Sequence, residues 1–225
     1  MYDALVEICD QVDATAGIRV LVIRGAGEAF AAGTDINEFR DLRSDADGIA
    51  YERRLDAGID RLERVTRPTI AAIDGPAVGG GCAIALACDL RICTPRARLG
   101  IPVSRTLGNC LSIANTARMV DLVGPARVRE LLFTGRLIDA DEAMALGLAT
   151  RIASPETLDA EVRLLALELT QRASSTIAAT KQLLLRLRDH RRPPPADDII
   201  GACYASSEFK EGVAAFLEGR KPQWS

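Results

Sequence analysis

Short apolar runs alternate along the chain with longer stretches in which apolar residues recur every three or four positions, and this alternation predicts an α/β protein. The runs Val20-Leu21-Val22-Ile23, Ile70-Ala71-Ala72-Ile73 and Leu90-Arg91-Ile92-Cys93 have the length and composition of strands, the first belonging to a strand over 17–24. Amphipathic helices are expected over residues 1–11 and from about Gly48 to the stop before Pro68. Another is expected over 107–120, closed by Gly124-Pro125, with Pro125 opening the next helix. Asp139 caps a short helix ending at Gly147, two long helices follow over 158–171 and 176–187, and the last covers 208–217. The run Arg191-Arg192-Pro193-Pro194-Pro195 reads as a stiff connector.

The stretch over residues 69–90, TIAAIDGPAVGGGCAIALACDL, organises the rest. An apolar strand breaks at Asp74-Gly75-Pro76, three glycines follow at 79–81, and residues 82–87 are apolar on all sides, as a helix inside a core would be. Strand, glycine turn and helix leave unpaired N–H groups at the helix start, where backbone can come close to an anionic ligand. No Gly-Lys-Ser/Thr follows, no GxGxxG spacing is present and no GxSxG occurs, so a phosphate loop, a dinucleotide fold and a serine-hydrolase elbow are unsupported.

A second stretch, Ala29-Phe30-Ala31-Ala32-Gly33-Thr34-Asp35-Ile36, follows the first strand. Together with AAIDGPAVGGGCAIALACD, LLFTGRLIDADEAMALGLATRI (131–152) and SEFKEGVAAFLEGRKPQW (207–224), it resembles the crotonase (enoyl-CoA hydratase/isomerase) superfamily over nearly the whole chain. The resemblance implies a spiral of ββα turns over 1–152 and a C-terminal helical region over 153–225 that packs on neighbouring subunits in a homotrimer or a dimer of trimers. It also implies a strand or hairpin, with basic residues near the CoA phosphates, ahead of the first helix; the sequence given opens on the helix.

The same resemblance implies an acyl-CoA thioester substrate, coenzyme A being part of that substrate and no separate cofactor being needed. Two backbone N–H groups, matched to Thr34 and Gly80, would hold an enolate or tetrahedral oxyanion. Fixed donors of this kind are each worth ~10²–10³ in rate. The ligand would lie against Ala32, Asp35, Ile36 and Gly79, with adenine near Ala32 and Ile36 and Phe216 at the acyl pocket or a subunit contact. The lysine common after Ile36 is Asn37 here. Basic help could come from Arg24, Arg40 or Arg43, or from Arg220 or Lys221 of a neighbour's tail.

The acid–base positions depart from the family. Its hydratases carry a glutamate just after GGGC, where this chain has Ala83, and a second in Gly-x-Pro-Glu, where Gly100-Ile101-Pro102-Val103 puts Val103. The aspartate of other members falls near Leu111. Such groups supply ~10²–10⁴ each, so ordinary hydration is expected to be crippled. In the substituted segment Arg105 could hold a carboxylate or polarise an oxygen, or be a surface ion-pair partner. Cys110 lacks a nearby histidine to activate it. Ser104, Thr106, Asn109 and Ser112 could orient water or cap backbone, and Asp35 and Asp74 suit turns. Glu38 is a possible base from the opposite wall, and the sole histidine, His190, sits in a charged run that reads as solvated surface.

Composition narrows the rest. At 225 residues with 48% hydrophobic content, the chain can bury a full core. A net charge of −3 offers no basic field for nucleic acid or an anionic membrane. No apolar stretch of spanning length and no signal peptide is read, which gives the expectation of a soluble, cytoplasmic protein. The six cysteines form no CxxC pair, so neither a disulfide framework nor a metal site is expected. Three readings stay open: an acyl-CoA isomerase, hydrolase, decarboxylase or C–C lyase with relocated acid–base groups; a slow enoyl-CoA hydratase; and a non-catalytic CoA-binding or scaffold protein.

Overall fold

A computed structural model describes residues 1–191 and 194–224. Helix α1 (Tyr2–Ala14) leads into strand β1 (Leu21–Arg24), a 3₁₀ helix (Ile36–Asp41) and the long helix α2 (Asp45–Glu63). Two ββα turns follow: β2 (Thr69–Ile73), β3 (Pro76–Val78) and α3 (Gly80–Ala87), then β4 (Leu90–Cys93), β5 (Arg98–Gly100) and the single-turn α4 (Val103–Thr106). Helix α5 (Ile113–Thr134), α6 (Ala140–Ala145) and the short β6 (Arg151–Ile152) precede the C-terminal helices α7 (Leu158–Thr170), α8 (Ser174–Arg191), α9 (Asp197–Ala205) and α10 (Ser207–Leu217).

The main sheet runs β1-β2-β4-β6, every pair parallel, and a second parallel pair joins β3 to β5. All five residues of β2 are buried because both faces of the strand are covered. Ile70 and Ala72 pack with Leu158, Val162 and Leu165 of α7, while Ala71 and Ile73 face the larger core that contains α3. Fully burying a side chain such as Ile73 contributes ~1.5–3 kcal/mol.

One charged residue sits inside this sheet for an identifiable reason. Arg91 on β4 is only 5% exposed, and its guanidinium donates to the carbonyls of Leu148, Ala85 (3.3 Å) and Cys88 (2.5 Å). The last two are at the end of α3, where helix carbonyls lack partners of their own. Burial lowers the Arg91 pKa.

Several boundaries differ from the sequence expectation. Helix α2 begins at Asp45 because Ser44 and Asp47 form a capping box there, ahead of the expected Gly48. The helix expected from Leu107 starts at Ile113, capped by Ser112, since Gly108 takes a positive φ of 69° that interrupts any helix. Gly124 (φ 74°, ψ 160°) breaks α5 and Pro125 restarts it, as the Gly-Pro pair predicts. Helix α9 is an addition. The expected connector over 191–195 includes Arg192 and Pro193, which lie outside the described residues. Among the described residues, no helix is long and apolar enough to cross a membrane.

Candidate active site

The two motif stretches meet through backbone. Phe30 N–H donates to the Pro76 carbonyl (2.9 Å), Val78 N–H donates to the Ala31 carbonyl (2.9 Å), and Ala31 pairs with Ala77 as a parallel bridge. So the segment leaving β1 runs beside β3 and delivers Thr34 next to the start of α3. Two glycines permit the approach. Gly79 adopts φ 57°, ψ −124° at the N-cap of α3, a conformation that strains any side chain. At Gly81 a Cβ would stand 2.2 Å from the Ala31 carbonyl oxygen, so only glycine lets the strand pass. A Cβ on Gly33 would lie 3.9 Å from the Gly80 nitrogen, which measures how near the two turns come.

These turns open on a cavity of about 800 Å³. Ala32, Thr34, Asp35, Ile36, Gly79, Gly80, Val103, Leu111 and Phe216 all line it, together with Ala83 and the apolar side chains Phe39, Leu55 and Ile59. Arg105 does not. It is exposed, because α4 is one turn long and Arg105, two residues or about 200° around from Val103, falls on the opposite side. Lys221 and Glu38 are exposed and also outside the lining, as is the exposed His190.

The polar residues of the substituted segment serve mainly as structure. Ser104 Oγ donates to the Leu132 carbonyl (2.5 Å), Thr106 Oγ1 to the Pro102 carbonyl (2.8 Å), and Ser112 caps α5 while donating to Asp56 (2.7 Å). Asp35 caps the 3₁₀ helix, accepting from the Asn37 N–H at 2.9 Å. Asp74 does more than close a turn: it accepts from Thr94 Oγ1 (2.7 Å) and pairs with Arg96. Burial pushes the Cys82 and Cys88 thiols up to about 12, so neither is a nucleophile near neutrality.

What the sequence reading missed is Glu52. It lies on α2, lines the cavity and is 5% exposed, and Tyr204 Oη on α9 donates to its Oε1 at 2.5 Å. Burial pushes its pKa up to about 7; the Tyr204 bond opposes the shift, and the nearby Asp56 and Cys203 add to it. Tyr204 in turn accepts from Asn109 Nδ2 at 3.3 Å. Nearby, Tyr2 Oη and Thr34 Oγ1 are 3.2 Å apart, and Tyr51 Oη is buried with no hydrogen-bond partner among the described residues. In sequence Glu52 is one charged residue in the run Tyr51-Glu52-Arg53-Arg54, and only its phase with the inward Leu55 and Ile59, three and seven positions on, marks it as facing in.

A parallel α/β core with ββα turns, a glycine-lined backbone crossing and an apolar cavity define an enzyme class, and comparison with known proteins identifies it. The whole chain, residues 1–225, matches the family model "Enoyl-CoA hydratase/isomerase". A "Probable enoyl-CoA hydratase" of Bacillus subtilis (strain 168) is 35% identical over 236 residues, spanning 100% of this chain and 88% of that protein. A "Crotonyl-CoA hydratase" of Syntrophomonas wolfei is 35% identical over 231 residues, 97% of this chain and 86% of that one. The crystal structure of a methylmalonyl-CoA decarboxylase complexed with 2S-carboxypropyl CoA superposes with a TM-score of 0.88 at 25% identity, covering 100% of this chain and 87% of that one. The chain belongs to the enoyl-CoA hydratase/isomerase family, with the crotonase fold, and is an enzyme of that family.

Proposed function

We propose that the protein processes an acyl-CoA thioester whose carbonyl oxygen is held by the Thr34 and Gly80 N–H groups, with isomerase or lyase chemistry at the α-carbon or hydrolase chemistry at the carbonyl carbon. The observation that carries this is the backbone crossing of the 29–34 and 76–81 segments at the wall of the cavity. Charge developing on a thioester oxygen is best met by fixed donors that need no reorganisation. Ala83 and Val103, the positions of the two glutamates implied by the family resemblance, also line the cavity and offer it no proton donor. The acyl-CoA ligand of the superposed decarboxylase structure supports the substrate class. The test is a panel of acyl-CoA thioesters, saturated, unsaturated and 2-carboxylated, with products followed by mass spectrometry. Turnover of none of them would remove the reading.

A slow enoyl-CoA hydratase is the second reading, favoured by 35% identity to a protein named crotonyl-CoA hydratase. Production of 3-hydroxybutyryl-CoA from crotonyl-CoA in the same panel would select it. Assembly as a trimer is part of the proposal, supported by the outward row Leu183, Leu184 and Leu187 on α8, each 61–63% exposed. Light scattering tests it.

A further inference from the structure

The cavity contains two carboxylates, Asp35 and Glu52. Asp35 is exposed and occupied as a cap with Asn37. Glu52 is buried and, among the described residues, no cation pairs with it. The arginines beside it on α2 turn outward instead, Arg53 to Asp197 and Arg54 to Asp3. Among the described residues its one hydrogen bond is from Tyr204 to Oε1, and none reaches Oε2 in the cavity wall. A buried carboxyl with no counter-ion and one oxygen unbonded is a poor structural device, since packing would be served better by an apolar residue. It is a suitable proton carrier.

We propose that Glu52 takes and returns the proton at the carbon next to the thioester carbonyl, and that Tyr204 positions it. The assignment rests on the acyl-CoA reading above. The ionised carboxyl removes the α-proton; the C–H electron pair becomes the Cα–C double bond and the carbonyl pair moves to oxygen, which faces the Thr34 and Gly80 N–H groups. The neutral carboxyl then gives the proton back. Returned to the same carbon it regenerates the thioester; returned two carbons further along a 3-enoyl chain it moves the double bond into conjugation. No co-reactant is consumed. The function is thereby narrowed to enolate chemistry run by one carboxyl, for which a pKa near 7 suits both halves of the transfer. The titratable and polar groups around it are Tyr2 on α1, Tyr51 and Asp56 on α2, Tyr204 and Cys203 on α9, and Asn109 and Cys110 on the 107–112 segment, none of them cationic.

The experiment uses butyryl-CoA in D₂O. Deuterium at the α-carbon is followed by mass spectrometry, and binding is measured separately by calorimetry. Wild type is expected to exchange, and Glu52→Gln to lose about 10²-fold or more while binding butyryl-CoA within a few-fold of wild type. Glu52→Asp, which keeps the carboxyl, is expected to recover part of the exchange. Tyr204→Phe removes a bond that lowers the Glu52 pKa, so the midpoint of its exchange–pH profile should move upward, a change that loosened packing alone would not produce. Wild-type rates in Glu52→Gln, or wild-type binding without exchange, overturn the assignment. Failure of wild type to bind butyryl-CoA overturns the acyl-CoA reading instead, and the assignment falls with it.

Discussion

Lys181 Nζ stands 2.7 Å from Asp89 Oδ2, joining α8 to the end of α3 across 92 residues of chain. The same carboxylate oxygen accepts the N–H of Thr69 (2.7 Å) and its hydroxyl (2.9 Å), and Lys181 also donates to the Arg67 carbonyl at 3.2 Å. One carboxylate thus fixes the start of the central strand, the end of the helix behind the cavity and a C-terminal helix. Lys181→Met keeps the apolar stem and removes the charge, leaving Asp89 and the Arg67 carbonyl short of a donor. The expected loss is ~1–3 kcal/mol in urea unfolding, with the circular dichroism spectrum unchanged.

Gly80 can be tested for its N–H alone. A Cβ there would meet Tyr2 Oη at 2.1 Å, so both variants are made in a Tyr2→Phe background that clears the space. Gly80→Ala retains the N–H; Gly80→Pro deletes it at a helix position that tolerates proline. Turnover of whichever acyl-CoA the panel identifies is expected to be ~10²–10³ lower in the proline variant than in the alanine variant. Equal rates would remove Gly80 from the proposed oxyanion site.

Ala83 and Val103 both line the cavity, the first 4% exposed. Ala83→Glu with Val103→Glu is expected to raise hydration of crotonyl-CoA sharply over the parent. The singles should give far less than the pair, because neither carboxyl does the work of acid and base alone. Hydration by the parent at hundreds of turnovers per second would show that the two apolar positions do not limit it.

Glu52 makes folding stability depend on pH in a direction that can be worked out. Its folded pKa of about 7 lies above the ordinary 4.5, so its contribution is fully present below about 4.5 and is lost as pH rises through about 7. Complete loss amounts to ~3 kcal/mol by pH 8. Glu52→Gln lacks this dependence. Wild type minus variant stability should therefore fall between pH 5 and pH 8 in paired urea titrations, and a flat difference would contradict the raised pKa.

The central strand and the glycine turn were legible because they are local: β2 covers the run Ile70 to Ile73, and α3 begins at Gly80. Ala32 with Thr34, Val103 and Phe216 reach one cavity from three separate segments. Arg105 was misplaced because chemical aptness was read without the helical phase of α4. Glu52 was missed for a complementary reason. Its hydrogen-bond partner Tyr204 is 152 residues away on a helix that the sequence does not announce, and nothing in the Arg-flanked run around it signals that partner.

Helix α2, which carries Glu52, is held unequally along its length. Midway along it the ties are the solvent-facing pairs Arg53–Asp197 and Arg54–Asp3; near its end Arg118, with a side chain 4% exposed, grips Asp60 and Glu63 from within. Salt screens the first kind and hardly touches the second, the screening length shrinking to about 3 Å at 1 M. At high ionic strength the middle of α2 loses its outer ionic ties and is left with its packing and the Tyr204–Glu52 bond, while its end stays clamped, and Tyr51 and Glu52 face the cavity from the loosened stretch. Ionic strength should therefore reach this enzyme through the stiffness of its own wall, and even an uncharged ligand would register it.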